Sequence, residues 1–117
     1  ADQRDLLEQG IEGCADTPDV RNDYAYLLAT VRDPAIRDGA RALRIARDVV
    51  AEAGARPEYL DTLACALAAT GDFAGATAQA SRAVELLVSR GAPEAVIALY
   101  RDHQQRFARR EAVFEGE

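Results

Sequence analysis

The chain has 117 residues, 49% apolar and 29% charged, and carries a net charge of −6 at pH 7. That length supports one globular domain with a real core, and the balance of residues is not that of a disordered segment. A net negative charge argues against a nucleic-acid surface, which needs a basic face, and no apolar run approaches membrane-spanning length.

In chain order, Asp2–Cys14 reads as a short helix through Leu6, Leu7 and Ile11, weakened by Gly10. Thr17-Pro18 then supplies an N-cap followed by proline at the first helical position. The helix it opens carries Val20, Tyr24, Leu27, Leu28 and Val31 at helical spacing. Arg32–Gly39 is a turn-rich connector. The next helix sets Ala42, Leu43, Ala46, Val49, Val50 and Ala53 along one side and ends near Gly54. Pro57 starts a third helix with Leu60, Leu63, Ala64 and Leu67. Gly71, suited to the left-handed conformation, ends it, and Asp72 caps the fourth. That fourth helix aligns Phe73, Ala76, Thr77, Ala80, Ala83, Val84 and Leu87. Gly91 breaks it, and Pro93 begins a last helix with Val96, Leu99, Tyr100, His103 and Phe107 in register.

Helix formers dominate and β-branched residues never alternate, so the fold expected is all-α. Every basic residue is arginine, and lysine and methionine are absent, as in proteins of GC-rich bacterial genomes. The missing initiator is expected of a processed chain or a piece of a longer one. A cytoplasmic location is expected, with the periplasm open because a cleaved leader leaves no trace. Cys14 and Cys65 lack metal-type spacing and read as thiols in a reducing compartment, a disulfide between them being left open.

The helices repeat. Ala42, Ala46 and Val49 recur as Ala76, Ala80 and Ala83, displaced by 34 residues. Tyr24, Ala25 and Leu28 recur as Leu63, Ala64 and Leu67 at a displacement of 39, so the first hairpin has a loop five residues longer. A helix–turn–helix unit at this period resembles the tetratricopeptide repeat (TPR) family. The second unit fits best: Leu63, Ala64 and Leu67 stand at the family's Leu-Gly-x2-Tyr step, and Gly71-Asp72-Phe73 at its Gly-Asp-Tyr turn. It departs from the family at Ala80, where an aromatic is usual, and at Val88, where a proline is.

The resemblance implies an all-α stack of antiparallel hairpins forming a right-handed superhelix of about six helices. A preceding half-repeat would span 1–16, full repeats 18–54 and 57–90, and a capping helix 92–114. It implies a noncatalytic scaffold binding a protein or peptide, basic or apolar, on the concave face made by the first helix of each repeat. The contact positions carried over are Asp19, Asn22, Tyr26, Ala29 and Thr30 from the first repeat. From the second they are Glu58, Asp61, Cys65, Ala68 and Ala69. The basic set by which some TPR domains clamp a peptide carboxylate is missing from these positions. The alternatives are a spacer or self-assembly module joined through its repeat ends, and a helical bundle with a ligand cavity.

Nothing in the sequence points to catalysis. A lone histidine allows no His-pair metal site, and His103 reads as a partly buried core-edge residue. No phosphate loop, nucleophile elbow or Cys–His pair of known spacing occurs, so no cofactor, metal, nucleic acid or membrane is expected. Arg106, Arg109 and Arg110 read as a solvated last turn complementing the helix dipole.

Overall fold

Proline, aspartate and glycine set the helix ends. A computed structural model of the chain describes residues 17–115, so the half-repeat expected over 1–16, with Cys14, lies outside the described residues. Those residues form five helices and no strand: α1 (Pro18–Thr30), α2 (Gly39–Ala53), α3 (Pro57–Ala69), α4 (Phe73–Ser89) and α5 (Glu94–Ala108).

Three of the five helices begin at a side-chain cap. Thr17 accepts from the Val20 amide at 3.2 Å, Asp38 from Arg41 at 3.1 Å and Asp72 from Gly75 at 2.9 Å. Each satisfies a donor that the first helical turn leaves without a partner. At the other end of α3, Gly71 has φ +92° and lets the Asp72 amide reach back to the Leu67 carbonyl at 2.9 Å. Gly91 repeats this closure after α4. After α5 the same left-handed position is taken by Arg110, with φ 61°.

The connector between α1 and α2 is ordered by its own polar groups. Asp33 accepts from the Ala35 amide at 2.9 Å, and the Asp38 amide donates to the Leu28 carbonyl at 3.0 Å. Gly39 then passes close to α3: a Cβ there would sit 3.0 Å from the Ala69 Cβ. A longer loop is thus tied down to bring the start of α2 onto the end of α3.

Packing follows the repeat. Helix α1 packs on α2, α3 on α4, and both members of the first pair pack on α3; α5 packs on α4 and much less on α3. The small residues shared by the two units, Ala25 and Ala64, Ala42 and Ala76, are all fully buried, as is Ala83 at the position of Val49. They allow close helix approach, and Tyr24, Leu28, Leu63 and Leu67 fill the space beside them. A smaller cluster of Val84, Leu87 and Ile97 holds α5 to α4.

Helix α3 is covered on nearly every side, with ten of its thirteen residues buried. The cover on its remaining side comes from the C-terminus. The last helix stops at Ala108, short of the 114 expected, because Arg110 turns the chain back. In the returning segment Val113 is 5% exposed and joins the main core cluster together with Phe107. The Glu115 amide donates to the Thr30 carbonyl at 2.9 Å, and Phe114 lies under the guanidinium of Arg37, 4.2 Å from its ring centre. The arginine cluster is only partly a solvated turn: Arg106 pairs with Asp102 at 2.9 Å and Arg109 with Glu111 at 3.2 Å, while Arg110 lies over the Phe73 ring. Leu99, placed by periodicity on the packing stripe, is 68% exposed, because α5 has no helix on its outer side among the described residues.

Candidate functional site

Residues of α1, α3, α5 and the returning tail line a cleft of about 440 Å³. Asn22, Asp23, Tyr26 and Leu27 line it from α1, and Glu58, Asp61 and Thr62 from α3. Tyr100 of α5 and Glu115 of the returning tail complete it. Among the described residues the lining carries four carboxylates and no basic side chain.

The ten expected contact residues separate into three groups. Asn22, Tyr26, Glu58 and Asp61 come together in the cleft. Asp19 lies at the α1–α3 seam, where its carboxylate accepts a short hydrogen bond from the Tyr59 hydroxyl. Ala29, Thr30, Cys65 and Ala68 are buried, and Ala69 is half-buried beside Gly39. The exposure expected of those four does not hold, because Phe107 and Val113 join Ala29, Cys65 and Ala68 in one apolar cluster. The tail thereby closes the C-terminal half of the α1/α3 face and leaves the N-terminal half open.

Three residues beside the cleft are coupled. His103 Nδ1 lies 2.8 Å from Asp61 Oδ1, and ligand atoms of Asp61, Cys65 and His103 all fall within 4.8 Å of one another. Burial pulls the His103 pKa down, but the hydrogen bond and charge of Asp61 outweigh it and leave the imidazole above its ordinary 6.5. Cys65 is a free, buried thiol, pushed well above its ordinary value by desolvation first and by the Asp61 charge second. The trio has the donor types of a three-ligand transition-metal site. A metal there would have to displace the thiol proton and take the place of the Asp61–His103 hydrogen bond. The same raised thiol pKa keeps Cys65 a poor nucleophile.

The two tyrosines of the lining are likewise held neutral. Burial, then Cys65, Asp61, Glu115 and Tyr100, pushes Tyr26 up to about 12. Burial, then Asp61 and Glu58, pushes Tyr100 up to about 12. Burial leads in both shifts, and the Asp61 charge adds to each. The arginine at the rim, Arg56, pairs with Glu58 at 3.1 Å and lies over the Tyr59 ring.

Tyr100, Asp23 and Glu115 were not foreseen from the sequence. Tyr100 and His103 share a face of α5, and periodicity assigns that face to the core. Glu115 reaches the cleft only because the tail turns at Arg110, a position where a left-handed conformation is normally signalled by glycine.

No protein-family profile, curated protein or solved structure matches this chain.

Proposed function

We propose that the chain is a TPR-like stack of helix hairpins that binds a protein partner through the cleft between α1, α3 and α5, without catalysing a reaction. The reading is supported by one observation above others: equivalent positions of the two hairpins' first helices, Asn22 and Asp23 in one and Asp61 and Thr62 in the other, meet in a single open cleft. The 34-residue displacement between Ala42 and Ala76, both fully buried, supports the repeat. The acidic lining favours a basic or mixed basic–apolar segment over an acidic one.

Affinity capture with the wild-type chain beside a Tyr26→Ala, Asp61→Arg double variant tests this reading. A partner retained by the first and lost by the second supports it, provided the variant keeps its helical circular dichroism. Identical captured sets contradict it.

Self-association through the end of the stack is a second reading, favoured by Leu99 standing 68% exposed on the outer side of α5. Light scattering across a concentration series, with Leu99→Glu as the control, distinguishes it: a strict monomer excludes it.

A further inference from the structure

Between α3 and α5 the fold brings a carboxylate, a thiol and an imidazole to one place. Asp61 and Cys65 stand four residues apart on α3, so the helix sets both on one face. His103 comes from α5, with its Nδ1 2.8 Å from Asp61 Oδ1. One ligand atom from each of the three lies within 4.8 Å of the other two. The three side chains stand on helices and not on loops, α3 is largely buried, and the His103 ring lies 6.3 Å from that of Phe107, itself only 1% exposed. Such a set is held near its geometry by packing. Its third member comes from another helix, so the set forms no motif in the sequence.

We propose that Asp61, Cys65 and His103 form a binding site for a zinc ion. Thiolate, imidazole and carboxylate are the donor types zinc takes, and three protein ligands with the fourth position left to water is one of its regular arrangements. Calcium and magnesium, which take oxygen ligands, do not suit a thiol. Zinc bonds of about 2.0–2.3 Å set tetrahedral ligands about 3.3–3.6 Å apart. The Asp61–His103 pair, at 2.8 Å, therefore has to open by about 0.5 Å, and the Cys65 sulfur to close in by about 1.2 Å at most, both within reach of side-chain rotation. Charge favours the ion as well. One thiolate and one carboxylate cancel the charge of zinc, so the filled site is neutral, as a largely buried position requires. Asp61 lines the acidic cleft, and its side chain and that of His103 keep 14% and 22% exposure, so an ion reaches them from solvent while Cys65 stays buried. On binding, the Cys65 thiol gives its proton to solvent, and the Asp61–His103 hydrogen bond is exchanged for one bond from each residue to the metal. The bound ion ties α5 to α3. This site is independent of what the cleft binds.

The test is titration of the reduced, chelator-treated full chain with cobalt(II), a spectroscopic stand-in for zinc, and then with zinc(II) itself. It is run in the wild type and in Cys14→Ser, whose one remaining thiol is Cys65. Both chains are expected to bind a single equivalent of cobalt, with the sulfur-to-cobalt charge-transfer band of a thiolate ligand and the intense visible bands of a tetrahedral ion. Zinc is expected to displace the cobalt and to raise the melting temperature, since an ion bound only by the folded chain stabilises it. In the Cys14→Ser background, His103→Gln and Asp61→Asn are each expected to weaken cobalt binding about tenfold or more, the loss that even a group supporting a ligand brings. Cys65→Ala is expected to abolish the thiolate band while the helical circular dichroism persists; if that variant does not fold, the His103→Gln and Asp61→Asn titrations decide. No thiolate band at millimolar cobalt overturns the proposal. So does a band seen in the wild type and lost in Cys14→Ser, which would put the thiolate at Cys14. A band that needs Cys65 but is unaffected by His103→Gln or by Asp61→Asn would mean that the three do not act as one ligand set, and overturns it too.

Discussion

His103 and Asp61, on helices α5 and α3, are joined by a 2.8 Å hydrogen bond that links the last described helix to the largely buried α3. Few other contacts bridge these two helices directly, so the pair helps to set the width of the cleft beside it.

The linkage has a definite sign. The folded-state pKa of His103 lies above its ordinary 6.5, with Asp61 overcoming the effect of burial. The stabilisation it contributes is therefore complete below pH 6.5 and is lost as pH rises through the raised folded value. NMR titration of the single imidazole should show the upward shift. In Asp61→Asn the hydrogen-bonding and charge contributions of the carboxylate vanish, and the imidazole should titrate below 6.5.

Tyr26 and Tyr100 should ionise near pH 12, and Tyr59, whose hydroxyl donates to Asp19, should ionise late as well. Ultraviolet difference titration should register this late tyrosinate absorbance. Asp61→Asn should bring Tyr26 and Tyr100 to ionise earlier, since its charge contributes to both shifts.

Ala76 is fully buried at the seam of the second hairpin. Ala76→Leu should overpack that seam and destabilise the fold by about 1–3 kcal/mol. An unchanged denaturation midpoint would place the seam elsewhere.

Two positions test the helix ends. Gly71→Ala puts a Cβ on a residue with φ +92° and should cost about 1 kcal/mol, although the space around it is open. Arg110→Gly relieves the same strain at φ 61° but removes the guanidinium over Phe73, so its gain should fall short of 1 kcal/mol. Urea midpoints at constant m-value measure both.

The sequence was most legible where local chemistry and period agreed. Thr17, Asp72 and Gly71 fixed helix ends, and Ala25, Ala42, Ala64, Ala76 and Ala83 marked the close-packed seams, all as the structure has them. Part of the site was legible for the same reason, since Asn22, Tyr26, Glu58 and Asp61 share the repeat's register. What periodicity could not show was how α5 and its tail fold back. Closure over Ala29, Thr30, Cys65 and Ala68 depends on Arg110 adopting a left-handed turn and on Val113 reaching the core, contacts with no local signature. Tyr100 was assigned to packing because a half-buried aromatic has the same spacing whether it faces a core or a cleft.

Site-directed photo-cross-linking most directly tests whether the cleft is the binding surface. A benzophenone side chain is placed at Tyr26 in one sample and at the exposed Ala78 of α4 in another, and each is irradiated with a captured partner. Cross-linking from Tyr26 and not from Ala78 is the result expected. Efficient cross-linking from Ala78 with none from Tyr26 would contradict the account and move the binding surface to the second helices of the repeats.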